Sequence, residues 1–452
     1  MPPDISRRAL IGGGLAVAGA PRAHAASDKK PKVIVVGAGV SGLAAARDLV
    51  DGGCDVVVIE ARNRIGGRLH TSRALSAPVE LGANWIHGVN GNPVTELARQ
   101  VGAKTFVTDS EEKVEVFRSG GKPVRDRELD PAEARYERLL ARIDNELDAS
   151  ADVSLRTAIE ARDPSFFGDP LMQWVLANET EDDMGEAAEA ISAYWFDEDG
   201  AFSGPEVVLP NGYDAILAPL SRGLDIRLNT PVRRIARKND GVAIETANGL
   251  LEADFAVCSV PLGVLKAGAI AFDPILPRTH LDAINRIGFG TVARAAIEFA
   301  EPLWSANTHY FGYVADERGR WPLALNAKAY CGRNILCATS VGPYAVKADA
   351  KSPDELKADL LAALSDTFGR KLPPPIGFIS SAWSRDEFAR GAYSVTAPGA
   401  TPADFDALAH PIDGRLFLAG EHTDFNYHAT IHGALLSGRR AARAIRAAAA
   451  HQ

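Results

Sequence analysis

Residues 32–60 leave the chain few folds to choose from. Lys32–Val36 is a β-branched run of the kind found in strands buried on both faces of a parallel sheet. It enters the turn Gly37-Ala38-Gly39-Val40-Ser41-Gly42, then a helical pattern to about Val50, then a second strand-like run, Asp55–Ile59, closed by Glu60. In this strand–turn–helix–strand unit each glycine has its own task. Gly37 permits the tight turn, Gly39 lets the backbone approach a diphosphate, and Gly42 lets helix and strand pack closely. A helix N-terminus with unpaired N–H groups favours the anion. Glu60, eighteen residues after Gly42, is placed to accept hydrogen bonds from a ribose. The unit predicts an α/β fold with a Rossmann-like dinucleotide-binding domain.

The residues after Glu60 separate one dinucleotide from another. Arg62, Arg64 and Arg68 flank a second glycine pair, Gly66-Gly67, adding backbone donors and positive charge against a diphosphate. The stretch Val79–Gly88 then supplies Gly82, Ala83, Asn84 and Trp85, small and apolar residues suited to lying along a flat isoalloxazine ring. FAD fits this arrangement better than NAD.

The rest of the chain bounds the possibilities. With 452 residues it is long enough for two domains sharing a cleft. A formal net charge of −9 argues against a nucleic-acid partner. Residues 1–25 read as a cleavable signal: Arg7-Arg8, the apolar run Leu10–Ala20 and Ala23-His24-Ala25. The paired arginines are similar to a twin-arginine signal, which predicts a periplasmic or secreted protein exported folded. Beyond that signal no apolar run is long enough for a stable membrane span. Four cysteines make no disulfide framework. Cys54 and Cys258 sit in apolar contexts, and Cys331 and Cys337 could pair or remain free. No Cys/His spacing suggests a metal.

From Lys32 to Ile445 the chain resembles the flavin-containing amine oxidases, and within them polyamine oxidases and the flavin-dependent histone lysine demethylases. The likeness is carried, in order, by "VIVVGAGVSGLAAARDL", "VIEARNRIGGRLHT", "ELGANWIHGVNGNP", "LPNGYDAILAPL", "VCSVPLGVLK", "WSRDEFARGAYS" and "RLFLAGEHTDFNYHATIHGALLSGRRAA". It implies an FAD-binding domain built from 31–106, 207–285 and 385–450, interleaved with an α+β substrate domain built from 107–206 and 286–384. It further implies that Val232 lies near the adenine, that Glu421 holds the second ribose or ribityl region, and that Thr430 and Ile431 approach the flavin's pyrimidine end. Ala392 stands where monoamine oxidases carry the cysteine that bonds the flavin, so the FAD is expected to be non-covalent.

Four positions are expected at the chemistry. Tyr393 matches the aromatic wall that orients a neutral amine over the flavin, and Thr430 opposite it leaves that cage half open to a long amine. His87 is similar in position to a histidine of animal polyamine oxidases and is suited to a hydrogen bond with a substrate nitrogen. Trp383 is expected to line the same chamber. Arg294 is a departure, since it stands where the family carries a lysine that holds water against the flavin. A permanent guanidinium can hold water or an anion but cannot act as a base. The acidic runs Glu179–Asp183 and Asp197–Asp199 read first as solvated loops and second as acceptors of a distal ammonium.

These features predict oxidation of a polyamine-type amine: hydride transfer to the flavin, hydrolysis of the imine to an aldehyde, and reoxidation by O2 giving H2O2. Arg294 keeps two alternatives open, a dehydrogenase using another electron acceptor and an L-amino-acid oxidase with Arg294 on the carboxylate. A flavin-bound interaction protein without turnover fits least. Histone demethylation is disfavoured by the export signal and by the lack of a long helical insertion. Oligomeric state is not legible.

Overall fold

Lys32–Val36 (β1) occupies the middle of a five-stranded sheet, in the computed structural model that describes residues 30–108 and 113–450. Across the sheet the order is Asp225–Arg227, Asp55–Ile59 (β2), β1, Phe255–Cys258 and Leu416–Leu418, every pair parallel. Val33–Val36 are all buried, as a strand covered on both faces requires. Helix Val40–Asp51 (α1) covers one face and packs on the C-terminal helix Ile431–Ala449. The approach is close: a Cβ on Gly438 would meet the Ser41 carbonyl oxygen at 2.1 Å. The Ser41 and Ser437 hydroxyls meet at 3.1 Å across the same contact.

A second sheet has seven strands. Its order is Gly377–Ser380, Val292–Glu298, Ile335–Val341, Leu323–Asn326, Tyr310–Val314, Val114–Arg118 and Lys122–Pro123. All its pairs are antiparallel except Tyr310–Val314 with Val114–Arg118. The parallel sheet therefore draws its strands from 31–106, 207–285 and 385–450, and the seven-stranded sheet draws its strands from 107–206 and 286–384. By contacts Pro31–Gln452 form one unit. Strands Val292–Glu298 and Ile335–Val341 are buried along their whole length. Between the strands of this sheet the chain forms a long helix, Asp126–Glu146, with Pro131 inside it.

All four cysteines are free thiols, with Cys54, Cys258 and Cys337 buried. Among the described residues no group of His, Cys, Asp or Glu is placed to hold a metal ion. No described helix is long and apolar enough to cross a membrane. The signal read at residues 1–25 lies outside the described residues.

Candidate active site

One cavity of about 820 Å³ runs along the junction of the two sheets. The turn after β1 forms one end. Gly37 has φ +102°, and a Cβ there would strike the Ser259 hydroxyl at 2.6 Å. Gly42 does not line the cavity. Its missing Cβ would stand 2.0 Å from the Gly37 carbonyl oxygen, so only glycine lets helix and turn close on each other. Gly39 caps α1 with no side chain of its own, and a Cβ there would meet nothing within 4 Å. The first amides of α1 therefore face open cavity, as a diphosphate site requires. Glu60 follows β2 on the same wall, its carboxylate accepting from the Ala38 amide at 2.7 Å and the Arg62 amide at 2.8 Å.

Two of the three arginines expected against a diphosphate, Arg62 and Arg68, are paired with carboxylates within the protein. Arg62 makes a two-point pair with Asp386 at 2.6 and 2.7 Å. Arg68 donates to Glu421 at 2.7 Å and to the Ala392 carbonyl at 2.7 Å. Glu421 also accepts from Ala429 N at 2.9 Å and from the Ser394 hydroxyl. Burial alone would raise its pKa, but the Arg68 charge, then His422 and the Ser394 hydroxyl, hold the carboxyl at about 2. Glu421 is thus a fixed anion that orders Arg68 and the loops at 392–394 and 429. Val232, Ala83, Gly67, Thr430 and Ile431 line the same cavity.

The other end holds the four positions expected at the chemistry. Trp383 donates its indole N–H to the Leu81 carbonyl at 2.6 Å. Arg294 is 6% exposed, lies 5.0 Å over the Trp85 ring and donates to the Gly82 carbonyl at 3.1 Å. Its Nε is buried with no hydrogen-bond partner, as is the Asn84 side-chain nitrogen. Orphaned donors on a cavity wall are the mark of a site built around a polar ligand. With the open helix end and Glu60, they make these residues a fit for FAD. Tyr393 donates its hydroxyl to the Asp182 carbonyl at 2.9 Å. His87 bonds Glu206 through Nδ1 at 2.7 Å.

Comparison with known proteins settles the family. The model for flavin containing amine oxidoreductases matches residues 40–446. The chain belongs to this family. Protein FLOWERING LOCUS D of Arabidopsis thaliana is 35% identical over 441 residues, covering 92% of this chain and 55% of that protein. Polyamine oxidase 2 of Arabidopsis thaliana is 32% identical over 433 residues, covering 92% of this chain and 88% of that one. The chain thus spans little more than half the length of the first curated relatives it matches. A solved putrescine oxidase, redesigned in its cofactor binding, superposes with a TM-score of 0.76 at 23% identity, over 92% of this chain and 99% of that one, a likeness of fold. The family fixes the cofactor as FAD and the fold as that of FAD-dependent amine oxidoreductases.

Sequence reasoning discounted one wall of this site. Asp182, Asp183, Asp197, Asp199 and Glu206 all line this cavity, although the runs Glu179–Asp183 and Asp197–Asp199 read first as solvated loops. Glu206 gave no signal at all. It reaches His87 because Val207–Val208 pairs antiparallel with Trp85–Ile86, and the next step of that register sets Glu206 opposite His87. Asp182 and Asp183 lie in the short helix Asp182–Met184, which continues a π-helical turn, Ala177–Glu181, and is capped by Gly185 in the left-handed region. Glu181, buried, anchors that turn by its pair with Arg318.

The acidic wall perturbs its own ionisation. Burial pushes the Asp182 carboxyl up to about 6, with Arg294 and His87 pulling the other way. Asp183 is raised too, by burial and then by the Asp182 charge. Asp182 is half-buried and Asp183 exposed, and both line the cavity. Burial alone would lower His87; Glu206, by hydrogen bond and charge, and then the two aspartates raise it.

Proposed function

We propose that this chain oxidises a cationic amine of polyamine type, using FAD to take hydride from the carbon beside nitrogen. The observation that supports this reading is the acidic wall of Asp182, Asp183, Glu206, Asp197 and Asp199 in the same cavity as Tyr393. Carboxylates in a partly desolvated cleft attract a second ammonium group far along a chain-like substrate. The Tyr393 ring supplies an apolar wall for the reacting end, and the 32%-identical relative is a polyamine oxidase.

The protein's own part is placement. Tyr393, fixed by its hydrogen bond to Asp182 and by the Arg68–Glu421 pair behind Ala392, orients the amine. Trp383 and Trp85 add apolar surface to the chamber wall. The imine product leaves to be hydrolysed to an aldehyde, and O2 is the proposed acceptor, giving H2O2. The chain acts in the periplasm or outside the cell, exported folded by the twin-arginine signal of residues 1–25.

A second reading has its own observation. Arg294 carries an orphaned buried Nε, so a substrate carboxylate would find a donor there, as in amino-acid oxidation. One experiment separates the readings: purified holoprotein mixed without air with spermine, spermidine, putrescine, an arylalkylamine and L-amino acids, followed by admission of air. Bleaching of the flavin by a polyamine with prompt recovery and peroxide is the expected result. Slow recovery would point to an acceptor other than O2, and bleaching by amino acids alone would overturn the polyamine reading. Export is tested separately: replacing Arg7-Arg8 by Lys-Lys should strand the protein in the cytoplasm.

A further inference from the structure

Arg294 is a buried cation that the described residues leave without a counter-ion. It is 6% exposed and lines the cavity, and its side chain donates one hydrogen bond, from Nη1 to the Gly82 carbonyl at 3.1 Å. Its Nε is buried with no partner, so the bonding of the guanidinium is incomplete within the protein. Arg62 and Arg68 line the same cavity, and each holds a carboxylate, Asp386 at 2.6 Å and Glu421 at 2.7 Å. Asp182 and Glu80 are near enough to feel the Arg294 charge, yet neither bonds it. The Glu80 carboxylate is taken by the Thr71 hydroxyl at 2.8 Å and the Tyr213 amide at 2.8 Å. A guanidinium out of water needs an anion to offset its lost hydration, and its planar fork suits a carboxylate.

We infer that the substrate carries a carboxylate for Arg294 beside the carbon that is oxidised, and a distal ammonium for the acidic wall: a dibasic α-amino acid such as lysine or ornithine. This rests on the amine-oxidising reading above and narrows its substrate class, since ornithine is putrescine bearing a carboxylate. The Cα–H bond breaks and its electron pair passes as hydride to FAD. The lone pair of the neutral α-amine forms the C=N bond, and water then releases ammonium and leaves a 2-oxo acid.

The placement of Arg294 supports both contacts. It belongs to the strand Val292–Glu298, where Val292 packs with Ala392 and Tyr393. Residues two apart on a strand share a face, and both Val292 and Arg294 line the cavity. The residues before this strand are tied to the backbone around Tyr393. Gly290 N donates to the Tyr393 carbonyl at 2.8 Å, and Ala392 N to the Gly290 carbonyl at 2.8 Å. The guanidinium therefore stands one pleat step from the residue packed against the wall that positions the amine. The hydroxyl end of Tyr393 reaches the acidic turn, donating to the Asp182 carbonyl at 2.9 Å, and Asp183 and Glu206 line the same cavity. A ligand lying along Tyr393 thus meets charge of both signs. A plain diamine is cationic throughout, so it leaves Arg294 unpaired and is repelled by it. A monobasic amino acid pairs with Arg294 but leaves the acidic wall unused.

The test is anaerobic flavin reduction by L-lysine, by cadaverine (lysine without its carboxylate) and by L-norleucine (lysine without its distal ammonium). In the parent, lysine should have the largest second-order rate constant of the three. The ratio of lysine to cadaverine should then fall on the order of 10- to 100-fold in Arg294→Gln. The amines' own basicities cancel in that comparison, because both proteins meet the same two compounds. Lysine should keep its advantage over norleucine in Arg294→Gln, and Arg294→Lys, which retains the charge, should keep part of the preference over cadaverine. Ornithine and putrescine should repeat the pattern. Cadaverine matching lysine in the parent, norleucine matching lysine, or a lysine-to-cadaverine ratio unchanged in Arg294→Gln overturns the proposal while leaving amine oxidation standing. The comparisons in the parent decide it even where Arg294→Gln fails to fold. If no amine reduces the parent, the functional reading falls and this one with it.

Discussion

Gly185 is a residue whose backbone and neighbour allow no substitute. Its φ of +64° is costly for any side chain, and the Tyr393 ring fills the place of its missing Cβ. Gly185→Ala should cost about 1 kcal/mol in backbone strain, and should displace Tyr393 as well. Reduction of the flavin by amine is expected to slow at least tenfold while flavin binding is retained, measurable by rapid mixing and by absorbance. Arg294 is the other decisive residue. It is wedged between the Trp85 ring and the Gly82 carbonyl, so a lysine there keeps the charge but loses both the stacking and the planar fork. Arg294→Lys should change the rate at which flavin colour recovers in air, with little change in the preceding anaerobic bleaching. Stopped-flow absorbance reads both.

Among the elements, α1 carries the tightest geometric demand. It must bring its N-terminus to the cavity, pack on β1 and β2, and receive the C-terminal helix across Ser41 and Gly438. A methyl at Gly42 would overlap the Gly37 carbonyl at 2.0 Å, so Gly42→Ala should push helix and turn apart. The cost of such overpacking is about 1–3 kcal/mol. Flavin affinity is expected to fall on the order of tenfold or more, measured by titrating apoprotein with FAD. The short strand Val207–Val208 has a different role. Two residues of pairing with Trp85–Ile86 are enough to set the register that brings Glu206 to His87.

At the scale of the whole molecule, ionisable groups buried beside the cavity couple folding to pH. His422 and His432 are both held down at about 4, chiefly by burial, against about 6.5 in the unfolded chain. A base whose folded pKa is depressed adds stability that is complete above the unfolded pKa and is lost as pH falls through the folded one. Stability should therefore fall as pH drops from about 6.5 to 4, by up to about 1.4 kcal/mol per pH unit for each histidine. Glu421, held at about 2, adds a further loss below the ordinary glutamate range. Urea unfolding of the apoprotein at stepped pH values checks this, and His422→Gln should remove about one proton's worth of slope. Much of this molecule was legible from sequence because its signals are local. The β1–α1–β2 unit, its three glycines and Glu60 are dictated by the backbone conformations and close approaches that only those residues allow. Arg294, Tyr393 and Trp383 lie in short motifs that resemble those of a known family, and all three line the cavity. The acidic wall was not legible, because a run such as Glu179–Asp183 has the same composition whether water or a cavity faces it. Only the tertiary structure decided that: a π-helical turn anchored by Glu181–Arg318 points Asp182 and Asp183 inward, and a strand register carries Glu206 to His87. Local sequence sets backbone conformation, whereas the surroundings of a charge are set by chain segments far away in sequence.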